Sequence, residues 1–486
     1  MQVPCDNALV SHSMHPVFAS IIPWSLPENA HWILLLAQSV AFVAAVAIIL
    51  RLAYEKRTPS NITAWSLLLL FMPLLGVPLY LLLGGRKIRR LIAEKNRMTS
   101  QSGNGDAAHP DACCFGSPVP GNSVLVLKDG VEAYRAFCKE IDRAQQSIEI
   151  ATFILGDDLV GRSIVRRLTR RAKAGVHVRL LIDALGSFGA ENRMFKPFRE
   201  AGGEVERFMP FSFFFSKTSA NLRNHRKIAV FDARRAIVGG QNMDRRFLSP
   251  NYTRALFADL GILLEGPAVE LLMRVFEGDW AFASKRAASF RVEPHSFPPP
   301  SYGHSELEII PSGPDVEGDP LWERIITLVQ EARESITIVS PYFLPDEVLL
   351  RSLIIKAHAG RRVRVIVPEN SNHPIVDLAR NRFLRQMSAQ GIEVLFYRKR
   401  MLHAKLIMVD GRFAVSGSAN IDPRSFFVNF EIGLVHTSQD DIRVFDGWIQ
   451  STLLPHCFGF AASKKAHTNR IRLFGENMAH LLTPLM

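Results

Sequence analysis

Two stretches of the chain carry the same chemistry-bearing residues at the same spacing. The first is His225-Arg-Lys227, then Asp232, then Gly239-Gly240-Gln241-Asn242; the second is His403-Ala-Lys405, then Asp410, then Gly417-Ser418-Ala419-Asn420. The histidines stand 178 residues apart. One histidine two residues before a lysine is commonplace, whereas two copies with matched downstream Asp and Asn are not. The stretches Lys227-Ile-Ala-Val-Phe and Lys405-Leu-Ile-Met-Val are strand-like, and period-two alternation puts the His and Lys of each pair on one face. If two halves pack about a pseudo-twofold axis, two imidazoles, two ammonium groups and the carboxamides of Asn242 and Asn420 converge on one phosphate. That supplies a nucleophile, a proton donor and a charge clamp. Asp232 and Asp410 sit five residues past the lysines at strand ends, where a structural and a catalytic role are both open.

The elements that must position these residues repeat as well. Ala144-Gln-Gln-Ser-Ile-Glu-Ile recurs as Ala332-Arg-Glu-Ser-Ile-Thr-Ile, each the end of an amphipathic helix running into a strand. An acidic turn follows in both copies (Asp157-Asp158; Asp346-Glu347), then a helix closed by Ala174-Gly175 or Ala359-Gly360, then a β-branched strand, Val176 to Ile182 or Val363 to Val367. Strand, helix and strand in this order predict a βαβ unit in each half, hence an α/β fold. The three prolines within Ser296 to Gly303 mark an extended connection between the halves.

Ahead of the repeats, Ile33 to Leu50 is uncharged and Ala64 to Leu83 is a second apolar run, interrupted by Pro73, Gly76 and Pro78. About 20 apolar residues cross a hydrocarbon core as a helix, so the two runs predict a membrane hairpin, with a kink or a shallow re-entrant path open for the second. No Lys or Arg precedes the first run, which speaks against a cleaved leader. Arg86, Lys87, Arg89, Arg90, Lys95 and Arg97 follow the hairpin, and this excess of positive charge places the rest of the chain in the cytoplasm. A net charge of +12 suits an anionic partner, a lipid surface or a nucleic acid. Five cysteines without a CxxC pair suggest neither a disulfide framework nor a zinc site. Phe211, Phe213, Phe214 and Phe215, close to Arg223 and His225, are either core or a segment that inserts among acyl chains beside Lys217.

From about 120 to 455 the doubled motif resembles the phospholipase D superfamily. Within it, Gly121-Asn-Ser-Val-Leu-Val-Leu-Lys-Asp-Gly, Ser340-Pro-Tyr-Phe-Leu-Pro345, Met401-Leu-His-Ala-Lys405, Ala419 to Phe426 and Glu476 to Leu482 resemble bacterial cardiolipin synthases, as does the two-helix N-terminus. Phe257 stands where that family's pattern has tryptophan, and the N-terminal extension and Cys113-Cys114 are further departures. The resemblance implies two phospholipase D-like repeats, each a sheet flanked by helices. Their expected spans are 122–290 and 307–457, after an extension over 1–30, membrane helices and basic segment over 31–97 and a linker over 98–121. A Pro-rich linker over 291–306 and a tail over 458–486 complete the chain.

The implied activity joins two phosphatidylglycerol molecules into cardiolipin and releases glycerol, at the bacterial inner membrane, with no nucleotide, cofactor or metal and no nucleic-acid partner. One histidine attacks phosphorus to form a phosphohistidine and the other protonates the departing alcohol. The implied phosphoryl-oxygen ligands are Lys227, Lys405, Asn242 and Asn420, and the carboxylates that hold the imidazoles are Glu431 and, as its first-half counterpart, Asp259. A hydrolytic phospholipase D, a membrane-bound nuclease and a noncatalytic scaffold are the rival readings. The sequence carries no sign of oligomeric state.

Overall fold

The computed structural model describes residues 28–54, 59–83, 95, 115–190, 192–210, 222–286, 302–463, 465–466 and 469–481. The phenylalanine run at 211–215, Lys217, the three prolines, Cys113-Cys114 and most of the two linkers lie outside them. Two compact units meet in sequence at Pro78.

In the first unit, α1 (Glu28–Tyr54) contains a 23-residue apolar stretch, Trp32–Tyr54, long enough to cross a membrane. Most of its large side chains, among them Trp32, Leu36, Val43 and Leu50, are exposed, as suits a helix solvated by acyl chains. The second apolar run is two shorter helices, α2 (Pro59–Phe71) and α3 (Pro73–Leu83), parted at Met72, and the boundary between the two units falls within α3. Pro73 lacks an N–H and its ring crowds the preceding turn, which explains the break.

The second unit is built twice. Its first half runs β1 (Val119–Leu127), α4 (Gly130–Arg143), β2 (Ser147–Thr152), α5 (Leu159–Lys173), β3 (His177–Asp183), α6 (Asn192–Glu200), β4 (Glu204–Phe208), β5 (Ile228–Phe231), β6 (Arg235–Gly239), β7 (Gly261–Glu265) and α7 (Ala268–Ser284). The second half repeats the plan: β8 (Ser305–Ser312), α8 (Pro320–Glu331), β9 (Ser335–Val339), α9 (Glu347–His358), β10 (Arg362–Pro368), α10 (Pro374–Ala389), β11 (Glu393–Tyr397), β12 (Leu406–Val409), β13 (Phe413–Gly417), a short α11 (Pro423–Phe427), β14 (Glu431–His436) and α12 (Gln439–Trp448). An edge strand β15 (Cys457–Gly459) and α13 (Arg470–Leu481) complete it.

All strands join one sheet, ordered β15-β11-β10-β9-β12-β13-β14-β8-β1-β7-β6-β5-β2-β3-β4. Outward from the β8–β1 junction the order of equivalents is the same on both sides. That junction is antiparallel, Val119 opposite Leu307 and Asn122 opposite Ser305. Equivalent strands paired antiparallel are related by a local twofold, so the pseudo-twofold α/β architecture expected of the repeat is present.

The predicted βαβ units are β2-α5-β3 and β9-α9-β10, with parallel pairings throughout. The acidic turns start the helices: the Asp158 carboxylate accepts the N–H groups of Val160 and Gly161, and Asp346 that of Val348. Each cap is worth about 1 kcal/mol. Gly175 and Gly360 stop the same helices at φ +86° and +78°, a conformation that costs a Cβ-bearing residue.

Alternation sorts each motif strand into two layers. Ile228 and Val230 enter a central apolar layer with α7, which Leu406 and Met408 also join beside α12. Ala229 and Phe231 face the layer of α4 to α6, and Ile407 and Val409 that of α8 to α10. Fully burying a side chain such as Phe231 contributes about 1.5–3 kcal/mol, so slipping a motif strand by one residue would be costly. The C-terminal helix α13 is fixed to the fold by Glu476, fully buried, which accepts from Arg385, Arg472 and Asn381.

Candidate active site

His225 and Lys227 lie immediately before β5, and His403 and Lys405 immediately before β12. Because β5 runs antiparallel to β2, with Ile228 opposite Ala151, the residues just before β5 reach the carboxyl end of the parallel strands. β12 repeats this against β9, with Leu406 opposite Val339. This end of an open α/β sheet is where ligands bind. The main chain then joins the halves. The His225 N–H donates to the Phe430 carbonyl at 2.9 Å, and the His403 N–H to the Ala258 carbonyl at 2.7 Å. Each histidine is thereby pinned beside the residue that precedes a carboxylate of the opposite half, Glu431 or Asp259.

The carboxylates are exchanged accordingly. His225 Nδ1 lies 2.8 Å from Glu431 Oε1 and 3.1 Å from Oε2, and His403 Nδ1 lies 2.7 Å from Asp259 Oδ2. Both acids belong to the repeat that does not supply the ring. An ionised carboxylate only accepts, so Nδ1 of each ring carries the proton and Nε2 keeps its lone pair for chemistry. Burial opposes ionisation of both acids. The charge and hydrogen bond of the partner imidazole and the charge of a nearby lysine outweigh it and hold each below the usual carboxylate range. Ser418 Oγ donates to Glu431 as well. Its first-half equivalent is Gly240, where a Cβ would come within 2.7 Å of Asp259 Oδ1.

Burial dominates the imidazoles, pushing His225 down to about 4 and His403 to about 3. Lys227 and Lys405 both push in the same direction on both rings, while Glu431 and Asp259 oppose them. Each ammonium thus presses on the imidazole of the other half, which makes the two motifs one electrostatic cluster. The lysines are themselves lowered by burial, Lys227 to about 7 and Lys405 to about 8. A buried ammonium near neutral pH recovers its charge when an anion arrives. Lys227 Nζ donates to the His225 carbonyl at 2.6 Å and Lys405 Nζ to that of His403 at 2.5 Å. Lys405 Nζ also lies 2.8 Å from His403 Nδ1 and 3.2 Å from its Nε2, over the edge of the ring that faces Asp259.

Asn242 and Asn420, 2% and 5% exposed, follow β6 and β13. Asn242 Oδ1 accepts the Ile154 N–H at 3.2 Å, and Asn420 Oδ1 has no partner among the described residues. Aromatic rings wall the pair: Phe153 meets His225 edge-on at 5.1 Å, and Phe247 meets His403 at 4.7 Å. Phe257, in the place of the expected tryptophan, lies against His403 with centroids 6.1 Å apart.

Asp232 and Asp410 are not brought to this cluster. Five residues along the strand, roughly 16 Å, separate each from its lysine. Asp232 accepts the N–H groups of Gln145, Gln146 and Ser147, and Asp410 those of Arg333, Glu334 and Ser335. These are the first residue of each repeated Ser-Ile strand and the two residues before it, which explains the motif spacing as a clasp between neighbouring strands. Ser418, Phe153 and Phe247 were not singled out from sequence, though the Gly240/Ser418 difference between otherwise matched motif copies was a signal. Among the described residues no group of three or more His, Cys, Asp or Glu could hold a metal ion.

Comparison with known proteins bears on this arrangement. Residues 137–280 and 325–453 match the family described as cardiolipin synthase, PLD-like domain, and residues 40–85 match the phospholipase D-nuclease N-terminal family. The chain is 31% identical over 481 residues to a cardiolipin synthase of Oceanobacillus iheyensis, covering 92% of this chain and 98% of the relative. It is 29% identical over 428 residues to a probable cardiolipin synthase, YwiE, of Bacillus subtilis, covering 83% and 84%. Among solved structures, phosphatidylserine synthase of Haemophilus influenzae aligns with a TM-score of 0.58 at 15% identity, over 75% of this chain and 95% of that one, a likeness of fold.

Proposed function

The chain belongs to the cardiolipin synthase family with its phospholipase D-like domains, and from that membership we propose how its two exchanged His–carboxylate pairs perform the reaction. It is a phosphatidyltransferase: one phosphatidylglycerol gives up its phosphatidyl group to the glycerol hydroxyl of another, yielding cardiolipin and free glycerol. In the proposed sequence a neutral imidazole attacks phosphorus through Nε2. The N–P bond forms as the P–O bond to glycerol breaks, and the second histidine, in its protonated form, gives its proton to the leaving oxygen. The acceptor hydroxyl then returns a proton to that histidine and attacks phosphorus, releasing the first ring. One phosphodiester is exchanged for another, so no nucleotide is consumed.

The single observation that carries this is the exchange itself, His225 with Glu431 and His403 with Asp259, within reach of both lysines' charge. Lys227, Lys405 and the Asn242 and Asn420 amides are the groups proposed to bind the nonbridging oxygens, where charge grows in the transition state. Arrival of the anionic phosphodiester raises the histidine that serves as acid from its depressed value. His225 is the proposed nucleophile.

The protein is membrane-associated. We further place α1 and the α2–α3 pair as a multi-pass anchor in the bacterial inner membrane, with the catalytic unit cytoplasmic. The apolar length of α1 and the basic residues after α3 support this. Purified enzyme given phosphatidylglycerol alone should form cardiolipin and glycerol in equal amounts. Phosphatidic acid as the main lipid product would mean that water resolves the intermediate, and cleavage of plasmid DNA without glycerol release would mean a nuclease.

A further inference from the structure

The two histidines are set into the fold by unlike neighbours. His403 is flanked by Leu402 and Ala404, both fully buried in the central apolar layer. His225 is flanked by Asn224 and Arg226, 3% and 1% exposed, and both turn into a buried ionic cluster. Asp279 of α7, fully buried, accepts Asn224 Nδ2 at 3.0 Å and Arg226 Nη1 at 2.7 Å. Asp315, in the turn after β8, accepts Arg226 Nη2 at 3.1 Å. Arg226 Nε donates to the backbone carbonyl of Glu431, whose carboxylate holds His225, at 3.0 Å.

Two carboxylates against one guanidinium leave a surplus negative charge away from water, a costly state unless another cation joins. That cation is Lys95. Its Nζ lies 2.5 Å from Asp279 Oδ1 and 2.6 Å from Asp315 Oδ2, and 5.2 Å from the centre of the Phe430 ring. Lys95 is 7% exposed, yet it belongs to the basic stretch between α3 and the first repeat, whose charge alone suggests contact with lipid headgroups or water. Burying an ammonium there is favourable only because the cluster needs it.

We propose that Lys95 is a positioning residue for His225. By balancing Asp279 and Asp315 it keeps Asn224 and Arg226, the residues before and after His225 in the chain, in place, and through Arg226 the Glu431 backbone. A single lysine from the basic segment after the apolar helices then belongs to the catalytic framework. The proposal rests on the reading that His225 takes part in phosphatidyl transfer.

The consequence has a sign. Around Lys95 stand Asp279 from α7, Asp315 after β8, Arg226 before β5 and the Phe430 ring before β14. Around His225 stand Glu431, Lys227, Lys405 and the Phe153 ring. Removing the Lys95 charge leaves a net negative cluster one residue from His225, which favours the imidazolium. Less neutral nucleophile is then present at a given acid pH, and the acid limb of kcat/KM moves up. Removing the Asp315 charge instead leaves a net positive cluster, and the limb moves down.

The test uses the full chain in mixed micelles of detergent and phosphatidylglycerol, reading glycerol release across pH for Lys95→Met, Lys95→Arg and Asp315→Asn. The expected results are at least a tenfold fall in kcat and an upward shift of about half to one pH unit for Lys95→Met. Lys95→Arg should recover most of the rate and the wild-type profile, and Asp315→Asn should shift it downward. A folded Lys95→Met enzyme with the wild-type pH profile overturns the proposal. Should that variant fail to accumulate, Asp315→Asn decides: a downward shift supports the proposal and an unmoved limb overturns it. Wild-type enzyme that releases no glycerol would sink the transfer reading instead, which keeps the two failures distinct.

Discussion

The surroundings of His225 and of His403 share a backbone plan and differ in how each ring is steadied. On the His225 side the long Glu431 carboxylate reaches across the junction and takes a second hydrogen bond from Ser418. On the His403 side the shorter Asp259 is steadied by the Leu260 N–H at 2.8 Å, and the place of the serine is taken by glycine because a Cβ would collide with the acid. A Glu with a hydroxyl and an Asp with an open glycine are two solutions to one distance. Duplicated halves can therefore drift apart residue by residue while the spacing from ring to acid stays near 2.7–2.8 Å.

The harshest test of equivalence is to delete each ring. His225→Ala and His403→Ala should each reduce cardiolipin formation by about a thousandfold or more while the protein remains folded in the membrane, because groups that act as a unit fail together. Near-normal turnover in either variant would break the comparison. Glu431→Gln and Asp259→Asn come next. Each should cost about 10²–10⁴ in kcat by releasing the tautomer and removing the charge that supports the imidazolium. Phosphoryl transfer measured with two lipid concentrations would show the loss in kcat rather than KM.

Much of this layout is legible in the amino-acid sequence. The doubled motif, the acidic helix starts and the closing glycines at 175 and 360 are local signals, and local signals survive in a linear string. Which acid serves which ring is not local: Glu431 and His225 are 206 residues apart, and only packing at the β1–β8 junction pairs them. Lys95 was equally illegible, since one lysine among several basic neighbours carries no mark of burial. Spacing alone leaves the motif aspartates open between two roles, because it places them at a strand end without saying which backbone lies beyond. The expected second membrane span from 64 to 83 is parted at Met72, and the prolines had flagged the weak point without deciding between a bend and a break.

A subtler probe exchanges the two steadying devices. Gly240→Ser should crowd Asp259 and lower both stability, by about 1–3 kcal/mol, and rate, whereas Ser418→Ala should lose only a hydrogen bond, about 1–2 kcal/mol, and keep the fold. Thermal unfolding beside turnover separates the two. pH offers a milder handle. Lys227 and Lys405, held near 7 and 8 by burial, lose charge as pH rises, so kcat/KM should fall on the alkaline side from about 7. kcat should hold to higher pH, because bound phosphodiester retains the ammonium. The depressed imidazoles act on stability in the opposite range. Their contribution is complete above about 6.5, the ordinary histidine value, and is lost as pH falls toward about 4 for His225 and about 3 for His403, which melting curves between pH 7 and about 3 would record. The smallest effect belongs to the strand clasps: Asp232→Asn and Asp410→Asn should each lower stability by about 1–2 kcal/mol and leave kcat unchanged. A large loss of rate without loss of stability would return those aspartates to the chemistry.

The exchanged acids also bear on descent. A lone repeat owns a ring with nothing to hold it and an acid with nothing to hold, so its simplest working form is a symmetric pair of identical copies. Fusing two copies into one polypeptide preserves every cross-contact, and it frees each copy to mutate without its twin. Serine opposite glycine, and arginine opposite alanine, are the marks such freedom leaves.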